Sequence, residues 1–262
     1  RKAIAYYSAP AQNFVFASID KDIAITANGY FPLKWKNQGK FLLEGSNPAN
    51  DWHGRIPVEQ NPTVKNPPRN FVSSANQSST DKTYPYYINW EFSNYERGHR
   101  INNLLTVMTN ATMDSLRNMQ NDNYSILAEN ILPALVQAVD TEKLNASQRE
   151  SLNIVSSWNK FYNADEIGAS IFEIWQEDLG SRIWDDEFGD AKVPMRYPSR
   201  GRTVEMILNE PNSRWFDNVK TPQEETRNDI IQAAFQFAVD SLERKLGPID
   251  SEWKWGNVKH SH

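Results

Sequence analysis

At 262 residues the chain is long enough for one large domain or two ordinary ones, with a substantial buried core. It holds no cysteine, which removes disulfides, thiolate nucleophiles, cysteine-ligated zinc and iron–sulfur clusters in one step. A net charge of −5, from 28 basic and 33 acidic residues, is wrong in sign for a phosphate-backbone partner and excludes nucleic acid as the expected ligand.

Taken from the N-terminus, the run NFVFASIDKDIAITANGYF beginning at Asn13 alternates, turns at Asp20-Lys21-Asp22 and alternates again, with Ile23, Ile25 and Ala27 on one side. This predicts a β-hairpin. A long irregular stretch follows, punctuated by Gly45, Pro48, Gly54, Pro57, Pro62, Pro67 and Pro68. It reads either as a functional loop or as a packed surface loop anchored by Trp52. A short strand, NFVSS, is expected after the double proline. Beyond residue 92 the pattern turns helical, with Ile101, Leu104, Leu105 and Met108 at helical spacing. The stretch 125–139 is apolar on one side, and Pro133 is expected to kink or interrupt it. Ser147–Glu150 and Thr221–Glu224 read as capping boxes, the second with Pro222 at the first helical position, and Gly247-Pro248 as a helix stop. Between them lie one stripe of Ile167, Ile171, Ile174 and Trp175 and another of Ile231, Phe235, Ala238 and Leu242. The most apolar segment, 126–139, carries Glu129, Asn130, Pro133 and Gln137, so no membrane span is expected. The fold class is α+β: antiparallel strands in residues 1–92, then a mostly helical part in 93–262.

Candidate chemistry concentrates in Asn66–Gln77 and in the later Tyr95-Glu-Arg97-Gly-His-Arg100. An asparagine held at a strand's end can aim its side-chain NH₂ at a developing oxyanion, although Asn76 in Ser-Ala-Asn-Gln reads on its own as a turn residue. Arg97 on its own reads as a helix-face charge paired with Glu96 or Glu91. A conventional Ser-His-Asp triad would have to draw on four histidines, two of them, His260 and His262, at the terminus, where metal ligation is not expected. The acidic residues Glu173, Glu177, Asp178, Asp185, Asp186 and Glu187 read as a solvated helix face. The 9 Trp, 10 Tyr and 12 Phe support an alternative, a non-enzymatic extracytoplasmic binding module that stacks aromatics on glycans or other small molecules.

The ordered set Asn13–Gly29, Asp51-Trp-His-Gly-Arg-Ile-Pro57, Asn66-Pro-Pro68, Phe71–Gln77, Tyr84-Pro85, the helix with Arg97 and Arg100, and Trp253-Lys-Trp255-Gly256 resembles the penicillin acylase (penicillin amidase) family of N-terminal-nucleophile amidohydrolases. The resemblance implies part of an αββα sandwich, cut at both ends. It matches Asn76 to the oxyanion-hole asparagine, Ala75 to a substrate-binding position in the acyl pocket, and Arg97 to the arginine that organises the nucleophile. The nucleophile would be a serine freed by self-cleavage upstream of Arg1, with its own α-amine as base, a chemistry that needs no histidine. The fragment alone would then be inactive. Its partners would be the rest of its precursor, meaning the small chain and the nucleophile segment, and a small-molecule N-acyl substrate. No cofactor is expected in this segment. Calcium belongs to the parent enzyme of some members, but where they carry an aspartate after Tyr-Pro this chain has Tyr86, Tyr87, Ile88 and Asn89. A periplasmic or extracellular bacterial location is implied.

Overall fold

The computed structural model describes residues 2–193 and 195–259. The chain divides into two compact units, Arg1–Met119 and Gln120–His262.

In the first unit, β1 (Gln12–Ala17) and β2 (Ile23–Asn28) form the expected antiparallel hairpin, with Val15 opposite Ile25. The turn is closed by Ser18, whose N–H donates to the Asp22 carbonyl at 2.9 Å, and Lys21 takes the left-handed conformation the tight reversal requires, with φ of 69°. The third strand corrects the sequence reading. It is β3 (Thr63–Lys65), which pairs with the other edge of β2 before the double proline, whereas residues 71–74 run without a ladder partner. Asn66 explains the change: it accepts from Ile23 N–H at 2.9 Å, donates to Asp22 at 2.7 Å and, with φ of 46°, ends the strand and sends the chain into the Pro67-Pro68 turn. The loop between the strands closes at its neck, where Leu33 N–H meets the Gly54 carbonyl at 2.9 Å and Ile56 N–H the Phe31 carbonyl at 2.8 Å. Trp52, 65% exposed, does not anchor this loop; Ile56, 2% exposed, does. Two helices complete the unit, α1 (Tyr95–Val107) and α2 (Met113–Gln120), the latter ending on the first residue of the second unit.

The second unit holds α3 (Ile126–Ala138), α4 (Ala146–Ser157), α5 (Ile167–Phe188), α6 (Arg200–Asn209), α7 (Arg227–Leu246) and the short α8 (Trp255–Val258). Its core is the packing of α5 on α7, with α4 alongside. Trp175 and Phe235 meet with ring centroids 4.8 Å apart, and the Trp175 indole donates to the Ile231 carbonyl at 3.1 Å, which satisfies the one polar atom of a fully buried side chain. The predicted stripe Ile231, Phe235, Ala238 and Leu242 is buried throughout.

Three boundaries differ from the sequence reading. Pro133 does not interrupt α3; it sits on the exposed side of the helix, as does Glu129, the residue whose carbonyl it leaves without a donor. The box opening α4 is Asn145 with Gln148, two residues before Ser147; Gln148 N–H bonds the Asn145 side chain at 2.8 Å, and the Gln148 amide reaches Asp240 of α7 at 2.9 Å, a tertiary tie that Ser147 cannot make. Helix α7 begins at Arg227 under a box of Thr226 and Asp229, while Thr221 turns its hydroxyl to Glu225 at 2.7 Å and closes a loop. Gly247, with φ of 85°, ends α7 as expected. Trp253 is fully buried, and the backbone N–H groups of Trp255 and Gly256 bond the carbonyls of Glu166 and Ala164 at 3.1 and 2.8 Å, so the Trp-Lys-Trp-Gly element packs into this unit. Among the described residues no helix is long and apolar enough to cross a membrane.

Candidate active site

The candidate residues lie in the first unit. After the Pro67-Pro68 turn, closed by Asn70 N–H on the Pro67 carbonyl at 2.9 Å, residues 71–74 run without regular secondary structure between β1 and α1. Side chains take the place of a ladder. Asn13 of β1 donates to Ser74 at 2.7 Å, and Ser73 donates to the side-chain carbonyl oxygen (Oδ1) of Asn102 in α1 at 3.0 Å. That oxygen also receives Arg69 at 3.3 Å, and the Asn102 amide donates back to the Gly98 carbonyl at 2.8 Å. The spacing of Gly98 and Asn102, one helical turn, puts both on one face of α1.

This lashing delivers Ala75, Asn76 and Gln77 to the first turn of α1. Ala75 is 3% exposed, and its methyl carbon lies toward Gly98. Asn76 is exposed and takes a left-handed conformation with φ of 63°. Its backbone carbonyl accepts from Ser93 N–H at 3.1 Å, and its side-chain carbonyl accepts from the Arg97 guanidinium at 2.8 Å. The structure thus brings Asn76 and Arg97 together. Because arginine only donates, the bond fixes which end of the amide faces it: the oxygen turns to Arg97 and the NH₂ away. Among the described residues that NH₂ makes no hydrogen bond. A charge-assisted bond to the carbonyl also withdraws electrons from the amide and sharpens its N–H groups as donors. Chemically, the arrangement is an oriented, exposed N–H donor backed by a fixed cation.

Gln77 and Gly98 lie inside the two stretches singled out from the sequence but carry no role there, and Asn102 lies outside them. Their residue types are common and their partners are distant along the chain, and the helical spacing of Gly98 and Asn102 was the single signal that could have drawn attention to them.

Residues 86–89 do not fit calcium. They offer one side-chain amide oxygen, that of Asn89, whose NH₂ donates to the Glu91 carbonyl at 3.0 Å, and no carboxylate. The carboxylate that shares their cavity, Asp81, is held below the usual range by the hydroxyl and N–H of Thr83, and Lys82 adds a cation to the same walls. The acidic residues of α5 have partners of their own: Glu173 accepts the Tyr162 hydroxyl at 2.6 Å, Asp178 pairs with Arg182, and Asp186 accepts Val219 N–H at 2.9 Å. Among the described residues no three His, Cys, Asp or Glu side chains are grouped to hold a metal. His260 and His262 lie outside the described residues. Trp158, 4% exposed, and Trp175, fully buried, are core anchors and form no part of an aromatic ligand platform; Trp52 and Trp90 are exposed.

The sequence matches the Penicillin amidase family over residues 1–262. It is 25% identical over 267 aligned residues to an acyl-homoserine lactone acylase QuiP of Pseudomonas syringae pv. syringae, covering 94% of this chain and 32% of the relative. It is 23% identical to a QuiP acylase of Pseudomonas aeruginosa, covering 94% of this chain and 31% of that one. The fold is similar to that of the thermostable penicillin G acylase of Alcaligenes faecalis, with a TM-score of 0.63 at 16% identity over 94% of this chain and 49% of that chain. The chain therefore spans about a third of the length of these sequence relatives. The chain belongs to the penicillin amidase family and has an α+β fold of the N-terminal-nucleophile hydrolase kind.

Proposed function

We propose that the chain is the part of a penicillin amidase-type amidohydrolase that supplies the oxyanion-stabilising asparagine, Asn76. In the reaction a serine hydroxyl attacks the carbonyl carbon of a linear N-acyl amide, and its proton passes to the serine's own α-amine. The tetrahedral oxyanion accepts from the Asn76 NH₂. The C–N bond then breaks, the amine leaves with the proton, and water hydrolyses the acyl-serine ester. The serine is supplied by the remainder of the precursor. Ala75 is assigned to the acyl side of the site, and Arg97 holds Asn76 and organises the nucleophile. The observation that carries this reading is the 2.8 Å bond from Arg97 to the Asn76 carbonyl, which leaves the NH₂ to donate.

Two further observations support the partners. The relatives' names, acyl-homoserine lactone acylase and penicillin G acylase, share removal of an acyl group, which favours a small N-acyl compound as substrate. In the first unit Val15, Phe16, Ile19, Phe41, Leu42 and Trp52 are exposed, as expected of a surface that the rest of a larger protein covers. A periplasmic or extracellular location goes with the reading and is checked by fractionation.

The test is Asn76→Ala in the full-length processed enzyme. Losing one oxyanion donor lowers acyl release by about 10²–10³-fold. A rate within a few-fold of the parent's rejects the assignment.

A further inference from the structure

Asn76 is held from two sides, and Arg97 is only one of them. The second hold is on the backbone. Ala75 is 3% exposed, so its N–H has little access to water and requires a protein acceptor. It finds one in the side chain two residues on: Gln77 Oε1 accepts from Ala75 N–H at 2.6 Å. The Gln77 side chain therefore folds back across Asn76 and closes a ring around the one residue of the turn that is left-handed, at φ of 63°. Asparagine tolerates that conformation but does not enforce it. The closed ring does.

The position of Gln77 is also tied to Arg97. Its side chain lies against Gly98, the next residue of α1; a Cβ at Gly98 would stand 3.5 Å from Gln77 Oε1 and 3.6 Å from its Cδ. The helical turn that holds the Asn76 side chain through Arg97 therefore also seats the residue that holds the Asn76 backbone. Among the described residues the Gln77 NH₂ donates to nothing, so the working atom is the carbonyl oxygen.

We propose that Gln77 is a positioning residue: by accepting the Ala75 N–H it fixes the turn and so the direction in which Asn76 offers its NH₂ to the reacting carbonyl. The proposal rests on the reading of Asn76 given above. It needs no contact between Gln77 and substrate. It predicts a loss confined to the step in which the oxyanion forms, because an N–H turned away from that position costs transition-state stabilisation and leaves substrate binding alone.

The test compares Gln77→Met, which keeps the side chain's length and removes the acceptor, with Gln77→Glu, which keeps an acceptor oxygen, each in the full-length processed enzyme. Gln77→Met is expected to lower kcat by about tenfold to a hundredfold, the scale of a small misplacement of a reacting group, with KM within about twofold; the Ala75 N–H left without its acceptor lowers the melting temperature by about a few degrees, and the circular dichroism spectrum is unchanged. Gln77→Glu restores most of kcat. In an Asn76→Ala background Gln77→Met has no further effect, since there is no amide left to aim. If Gln77→Met keeps the parental kcat while Asn76→Ala is disabled, the positioning role is overturned and that of Asn76 stands. If kcat falls equally in the Met and Glu variants, the acceptor is not what matters and the proposal is likewise overturned. If Asn76→Ala itself keeps the parental kcat, the oxyanion reading falls and takes this proposal with it.

Discussion

Arg97 and Asn76 show how one hydrogen bond selects a chemical role. An amide can present either end, and the guanidinium at 2.8 Å takes the carbonyl, so the donor end is the one displayed. Replacing Arg97 with Met is expected to free the amide to rotate and to lower kcat by about tenfold or more while the chain stays folded, measured by acyl release alongside circular dichroism. Gly168 acts through the absence of a side chain. A Cβ there, in the first turn of α5, would lie 2.5 Å from Trp158 Cβ and 2.6 Å from its Cγ, and Trp158, at the C-terminal end of α4, is 4% exposed. Gly168→Ala is therefore expected to destabilise by about 1–3 kcal/mol, read as a lower urea midpoint. At the other end of α5, burial and the adjacent Asp186 carboxylate push Glu187 up from the ordinary glutamate value of 4.5 to about 7, against the opposing pull of Arg214. A carboxyl that holds its proton more tightly when folded stabilises the fold at low pH and loses that contribution as pH rises through about 7. Glu187→Gln should accordingly narrow the difference in melting temperature between about pH 5 and about pH 8, chiefly by raising the value at the higher pH. An unchanged difference would show that the group does not titrate in this way.

Five helices, α1, α3, α4, α5 and α7, were readable as helices, and the N-termini of α4 and α7 were not. The stripe of α7 repeats at a period that sequence displays directly, α5 buries residues on several sides, Gly168 to Phe172 in succession, and Gly247 stops α7 where a left-handed residue is needed. The N-termini were displaced because several residues in each stretch can cap. Thr221 and Thr226 both precede an acidic residue at cap spacing, and the choice falls to Thr226 because Thr221 is committed to Glu225 and Asn218 in the preceding loop. Thr226→Ala is expected to cost about 1 kcal/mol of stability by thermal or urea unfolding, a typical cap loss, and Thr221→Ala less. The strand after the double proline was misplaced for a similar reason: 71–74 has strand composition, but the place beside β2 is taken by β3, and only Asn66 decides where pairing stops.

The two units differ in what holds them. Among the described residues nearly all the buried apolar side chains lie in the second unit, from Ile126 to Trp253, whereas the first contributes Ala27, Ile56 and Ala75. The second unit is expected to fold by itself: residues 120–262 expressed alone should be helical and unfold in one cooperative transition by circular dichroism, and a chain that stays unfolded would show that its core depends on the rest. The first unit relies on hydrogen bonds between loops and on α1, an arrangement that leaves its apolar residues for other surfaces. Composition and pattern alone settled the fold class, the hairpin, the helical stripes and the exclusion of thiol chemistry, because these depend on residue type and short-range spacing. Only the tertiary structure decided which asparagine faces an arginine, which end of its amide is displayed and which glutamine holds the turn. Those facts depend on residues such as Asn76 and Arg97, far apart in the chain and joined by a loop with no periodicity to read.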